Sequence, residues 1–277
     1  MSDESYHVGV IKLNTGFSYN KGHNTRTTIK CIKEGVKRGL DLIVGPEWGL
    51  ASNYSLTDKF APRDAVNLFA AVYPDVPKTA IKRSRLPYSP REARKLINII
   101  KDITKGSNAI VMPGTMMIYT NGKNLYNVMP VFRDGKVIYS VFKNEDGGSC
   151  KFDLDGALHL CAPGRDSEDA RVSTFKQNGL HFGVEICADR GLLRTKVAPR
   201  SLDVQVLSSC GLDDTETDAL KNDGYQICSD GQSGLSYVST KDGTERLPPL
   251  NKSTSASLEI YSIRQAKTGK IRGSKSC

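Results

Sequence analysis

The chain has 277 residues, 38% hydrophobic and 25% charged, a composition that suits a globular protein and excludes a low-hydrophobicity disordered chain. Its formal charge is +9, from 39 basic and 30 acidic residues. No nucleic-acid-binding signature or interleaved aromatic pattern accompanies that charge, so a solvated basic surface is expected and no nucleic-acid partner. No apolar run reaches the roughly 18 residues of a membrane helix, and the polar opening Met1-Ser2-Asp3-Glu4 lacks the basic and apolar segments of a secretory signal. No membrane partner and a cytoplasmic location are therefore expected.

In chain order, residues 7–13 alternate as a strand does. A helix is predicted over 25–38, with Ile29, Ile32 and Val36 on one face and Gly39 as its stop. Residues 41–47 read as a short apolar buried strand ending at Glu47. Residues 55–88 are irregular, with four prolines and a basic cluster at Lys82, Arg83 and Arg85. Ser89-Pro90-Arg91-Glu92 is a capping box with proline at the first helical position. The helix it opens carries Ala93, Leu96, Ile97, Ile100 and Ile103 and stops at Gly106.

A strand is predicted at 109–112. Asn121-Gly122 and Asp134-Gly135 are hairpin turns separating strands at 115–120, 125–133 and 136–142. A Gly- and Asp-rich loop covers 144–163, and a strand over 180–186 ends at Cys187. Strands are also expected at 204–208, 226–229 and 258–263, and a short helix at about 215–222. The tail 264–277 has five basic residues and no acidic one. No internal repeat or linker is evident, so a single domain over 1–277 with a basic tail is expected. Alternating strands and helices followed by hairpins argue for a layered α/β fold with mixed sheets.

Seven cysteines and four histidines occur. No Cys-x-x-Cys pair and no metal-ligand spacing of histidines is present, so no metal and no cofactor is expected. Cys187, directly after an apolar strand, is placed to present a thiol to a pocket, provided a base or positive charge lies near; a buried structural cysteine is the plain alternative. Glu47 at a buried strand end is costly unless it faces a pocket or partner, where it becomes a usable general base; the plain alternative is that the strand reaches solvent there. Lys143 at a strand end could stabilise an oxyanion, or could simply be a surface lysine. Strand alternation puts His181, Gly183 and Glu185 on the face of Cys187. His181 lies about 20 Å away along the strand, too far to form a Cys–His dyad.

The three residues occur in a pattern that resembles the nitrilase, or carbon–nitrogen hydrolase, superfamily. The matching segments are Pro46-Glu47-Trp48 with Tyr54 downstream, Leu125-Tyr126-Asn127-Val128 with Asp134-Gly135 leading to Lys143, and Gly183-Val184-Glu185-Ile186-Cys187-Ala188-Asp189-Arg190. The resemblance spans roughly 6–263. It implies a four-layer αββα sandwich of two mixed sheets, with Glu47 as base, Cys187 as nucleophile forming a thioester, and Lys143 with the Ala188 N–H holding the oxyanion. Trp48, Tyr54, Ala188, Asp189 and Arg190 become candidates beside the substrate, Asp189 and Arg190 by shaping the turn. A homodimer or larger homo-oligomer is also implied.

Departures from the family pattern bear on function. The interval between Glu47 and Lys143 is longer than usual, which makes 55–88 a candidate cover for the pocket. Asn144-Glu145-Asp146 stands where His-Leu is usual, and no second glutamate is evident, leaving Asp153 or Asp155 as substitutes. Cys187-Ala188-Asp189 replaces the Cys-Trp-Glu of true nitrilases and points to amides. The expected activity is amidase-type hydrolysis of a small molecule's non-peptide C–N bond. The alternatives are an amide-forming acyltransferase and an inactive basic binding protein on the same scaffold.

Overall fold

The structure is a computed structural model that describes residues 5–13, 23–50, 88, 90–119, 124–144, 159–160, 173–212, 217–231, 236–241, 246–252 and 257–264. Tyr54, Asp153, Asp155, the segment 55–87, the Asn121-Gly122 turn and the tail after Arg264 lie outside the described residues. The elements are β1 (Ser5–Ile11), α1 (His23–Lys37), β2 (Leu42–Val44), α2 (Pro90–Thr104), β3 (Ile110–Met112), β4 (Met116–Tyr119), β5 (Asn124–Arg133), β6 (Lys136–Phe142), β7 (His159–Leu160), β8 (Thr174–Gln177), β9 (Leu180–Ile186), a 3-10 turn (Cys187–Asp189), α3 (Leu192–Lys196), β10 (Leu202–Ser209), β11 (Leu220–Asp230), β12 (Tyr237–Thr240), β13 (Asn251–Lys252) and β14 (Leu258–Arg264). Among the described residues no helix is long and apolar enough to cross a membrane.

Two mixed sheets form. The first has the order β13-β14-β1-β2-β3-β5-β4, with β6 and β7 also paired to β5, and the second has the order β12-β11-β10-β9-β8. In the first, β1, β2 and β3 are parallel and β14 and β5 flank them antiparallel. In the second, β9, β10 and β11 are parallel, with β8 and β12 as antiparallel edges. The strand period of two divides each apolar strand between two cores. Val8, Val10, Leu42, Val44, Ile110 and Met112 face the second sheet, where Phe182, Val184, Ile186, Val204, Val206 and Ile227 meet them. Ile11, Ile43 and Val111 face outward onto Ile32 of α1 and Leu96 and Ile100 of α2. On the far side Leu193 of α3 packs on Leu202 and Leu220. The layers are thus αββα, each large buried side chain contributing about 1.5–3 kcal/mol.

Local chemistry explains most boundaries. Pro90 opens α2, and Gly106 ends it at φ +75°, its N–H donating to Asp134 Oδ1 at 2.9 Å. Asp134 and Gly135 both have positive φ, 46° and 67°, the backbone of a type I′ hairpin. Of the helix expected over 215–222, the described residues 217–222 form none: Leu220 begins β11 and pairs in parallel with Leu202. Pairing on a buried strand outweighs the weak helical pattern there. β8 was not anticipated, although Asn178 and Gly179, with φ 53° and 77°, make the turn that joins it to β9.

Although no internal repeat is evident in the sequence, one short device occurs twice. The His7 N–H donates to Asp41 Oδ2 and the His181 N–H to Asp203 Oδ2, each at 2.7 Å. Each aspartate ties the foot of one strand to its parallel neighbour, β1 to β2 and β9 to β10. The opposite strand ends then emerge together.

Behind those ends the segments leaving β2 and β3 run in backbone contact. A Cβ on Gly114, at φ +90°, would strike the Pro46 carbonyl, and one on Gly45 would strike the Pro113 carbonyl. Gly114→Ala is therefore expected to destabilise the protein by about 2 kcal/mol or more in urea unfolding. An unchanged midpoint would show that this contact is not tight.

Candidate active site

β2 ends at Val44, and the chain turns through Gly45 and Pro46 so that Glu47 sits in a tight turn three residues beyond the strand, not at its end as expected. That turn is tied on several sides. Gly45 N–H donates to Met112 O at 2.7 Å, Gly49 N–H to Pro46 O at 2.9 Å, and Leu50 N–H to Thr115 O at 3.0 Å. Thr28 Oγ1 of α1 donates to Gly49 O at 2.8 Å, and Ser208 Oγ of β10 donates to Gly45 O at 2.9 Å across the two sheets. Trp48 has φ +64°, and its N–H donates to Thr115 Oγ1 at 3.0 Å.

Glu47 is 2% exposed and Lys143 5%. Lys143 follows β6 directly, and its Nζ donates to Glu47 Oε1 at 2.7 Å. A second donor, Asn127 Nδ2 of β5, reaches the same oxygen at 3.0 Å. A buried carboxylate is tolerable only with its charge matched and its lone pairs used, and these two donors meet that need.

Cys187 follows β9 directly and is the third member. Were β9 to continue, its thiol would share the outward face of Glu185. The strand instead stops at Ile186 and Cys187 takes φ +48°, so the expected common face with Glu185 is broken. The thiol packs against the core between the sheets and hydrogen-bonds with Glu47. Positive φ is rare for a residue with a Cβ and costs on the order of 1 kcal/mol or more; here it turns the side chain toward the carboxylate. Burial first, then the Glu47 charge and hydrogen bond, push the thiol from 9.0 up to about 12, opposed by Lys143 and by the backbone N–H of Cys210. The resting group is a neutral thiol beside Glu47.

Asp189 is buried, and both its oxygens accept the Asn144 N–H, at 2.9 and 3.1 Å. It fastens the residue after Lys143 to the turn carrying Cys187, so its part is to shape the turn. Glu185 Oε1 accepts the Leu193 N–H and Oε2 accepts from Gln205 Nε2, both at 3.1 Å; it anchors α3 and β10 on the outer face. His181 Nδ1 donates to Ser201 O at 2.9 Å, at the foot of the strand and away from the thiol. Ala188 is half-buried and Arg190 exposed. Sequence reasoning quoted Asn127 without a role and did not single out Cys210; neither position carries a local signal of its contact. Among the described residues no group of three or more His, Cys, Asp or Glu could hold a metal ion.

No protein-family model matches the chain, and no curated protein matches it. Solved structures do. An amidase of Nesterenkonia AN1 from the nitrilase superfamily aligns with TM-score 0.60 at 12% identity, over 96% of this chain and 93% of that one. Saccharomyces cerevisiae Nit3, a member of branch 10 of the nitrilase superfamily, aligns with TM-score 0.56 at 16% identity, over 94% and 90%. The glutamine-dependent NAD+ synthetase of Acinetobacter baumannii aligns with TM-score 0.57 at 15% identity, over 94% of this chain but 45% of that one. This chain therefore spans under half the synthetase's length. These likenesses establish the fold that the sequence resemblance implied.

Alkylation of Cys187 by iodoacetamide, followed by peptide mass mapping, is expected to go on rising with pH beyond the ordinary cysteine range near 9.0, toward about 12. Glu47→Gln removes a charge and a hydrogen bond that raise the thiol and leaves Lys143, which lowers it. Its profile should move to lower pH. A shift to higher pH, or none, would contradict the contact.

Proposed function

We propose that this chain, which has the fold of the nitrilase superfamily, is a carbon–nitrogen hydrolase of the amidase type, acting on a small molecule through a thioester on Cys187. The observation that carries the reading is the meeting of a buried carboxylate, a buried ammonium and a thiol from the segments that follow three separate strands. Chance surface residues do not become buried together at one point, and an inactive scaffold has no need to keep a charged pair beside a thiol.

In the proposed reaction Glu47 takes the Cys187 proton as sulfur attacks the amide carbon. Lys143 Nζ and the Ala188 N–H stabilise the oxygen that becomes negative. Glu47 returns its proton to the leaving nitrogen, and ammonia or an amine departs. Water then attacks the thioester with Glu47 again as base, releasing the acid and the free thiol. The likeness to the Nesterenkonia amidase supports this reading: structures of a mutant of that enzyme carry the acetamide moiety of fluoroacetamide, or acrylamide by Michael addition, at its active-site cysteine. Trp48 and Arg190 are proposed to line the substrate side, and assembly as a homodimer or larger belongs to the same proposal.

Ammonia release from a panel of primary amides and N-carbamoyl compounds tests it. Cys187→Ala should abolish turnover, and Lys143→Ala should lower kcat by about 10²–10³-fold. Added hydroxylamine should divert the acyl group to a hydroxamate. Turnover that survives Cys187→Ala would overturn the proposal, and product that forms only when an amine is supplied would assign acyl transfer instead.

A further inference from the structure

We infer that Asn127 is the positioning residue that holds Glu47 in place through the proton transfer; this rests on the proposed role of Glu47 as the base. Asn127 lies in β5 and is 1% exposed. Its Nδ2 donates to Glu47 Oε1 at 3.0 Å, the oxygen that Lys143 Nζ reaches at 2.7 Å. Its main-chain carbonyl accepts the Lys143 N–H at 2.8 Å. One residue therefore grips both members of the Glu47–Lys143 pair, the carboxylate by its side chain and the lysine by its backbone.

The direction of the amide is fixed by chemistry, because an ionised carboxylate only accepts and Asn127 must turn its N–H toward it. Its Oδ1 is then buried, with no hydrogen-bond partner among the described residues. A buried carbonyl without a donor destabilises a fold, so packing alone favours an apolar side chain here. The N–H directed at Glu47 is what the asparagine supplies.

Two donors arriving on Oε1 fix the plane of the carboxylate. They also act at different moments. When Glu47 takes the proton it becomes neutral and its hold on Lys143 weakens, just as the ammonium is needed by the oxyanion. The neutral amide N–H of Asn127 does not depend on that charge, and it keeps the protonated carboxyl aimed for the return of the proton.

Asn127→Asp and Asn127→Leu test this. The aspartate variant is close in shape, but its ionised carboxyl cannot donate and repels Glu47. Once protonated, which the neighbouring charge favours, it donates an O–H to the same oxygen. Its kcat should fall about 100-fold near pH 8 with KM little changed, and its activity relative to wild type should recover as pH falls toward about 5. The leucine variant should lose kcat to a similar degree at every pH. A relative activity for Asn127→Asp that does not vary with pH, or near-wild-type turnover by Asn127→Leu, would overturn the inference.

Cys187 alkylation gives a readout without substrate. The ratio of the aspartate variant's rate to wild type should again rise as pH falls. If wild type cleaves no amide but that ratio moves as stated, the amidase reading fails and the Asn127 contact to Glu47 stands. If wild type cleaves amides and the ratio is flat, the inference fails and the amidase reading stands.

Discussion

Glu47 carries a carboxylate into the seam between two β-sheets, where almost no water reaches it. An isolated charge in such a place is costly by several kcal/mol, so the structure around it is obliged to supply donors. Lys143 and Asn127 do so on one oxygen, and Cys187 lies against the same carboxylate. The residues lie in or just after four strands of two sheets, β2, β5, β6 and β9, so any change in how the sheets stack would separate them.

The fold meets that demand by fixing strand ends. His7 with Asp41 and His181 with Asp203 set the feet of two parallel strand pairs. At the other end Ser208 and Ser229 donate across the seam to Gly45 O and Ile11 O, both at 2.9 Å. Asp189 then ties the Lys143 segment to the Cys187 turn. The interior of the sandwich is apolar and non-directional, and these hydrogen bonds give it a register. The positive φ at Cys187 is a local strain carried by that framework, and it points the thiol at the carboxylate.

Much of this was legible in the sequence where pattern and punctuation agreed. Strand 136–142 follows the Asp134-Gly135 turn and strand 180–186 alternates; they stop directly before Lys143 and Cys187, and the structure returns the same bounds. The start of α2 followed from Pro90 and its end from Gly106. β8 went unread although the Asn178-Gly179 turn advertises it, and β11 begins inside what looked like a short helix because Leu220 answers to Leu202 on the neighbouring strand. The candidate site was legible as three residue types in order. Its supports were not: Asn127 and Glu47 are 80 residues apart in the chain, and no local rule pairs them. Alternation put Cys187 on the wrong face because a single backbone angle overrides the strand period.

The most direct measurement of the central claim is intact-mass spectrometry of the wild-type protein and of Cys187→Ala, quenched after exposure to primary amides, N-carbamoyl compounds, acids and nitriles. The account predicts a mass gain equal to one acyl group from an amide, mapped to Cys187 and absent from the variant. An acyl adduct that persists in Cys187→Ala would contradict it, as would no adduct from any compound combined with alkylation of Cys187 no different from that of the other cysteines.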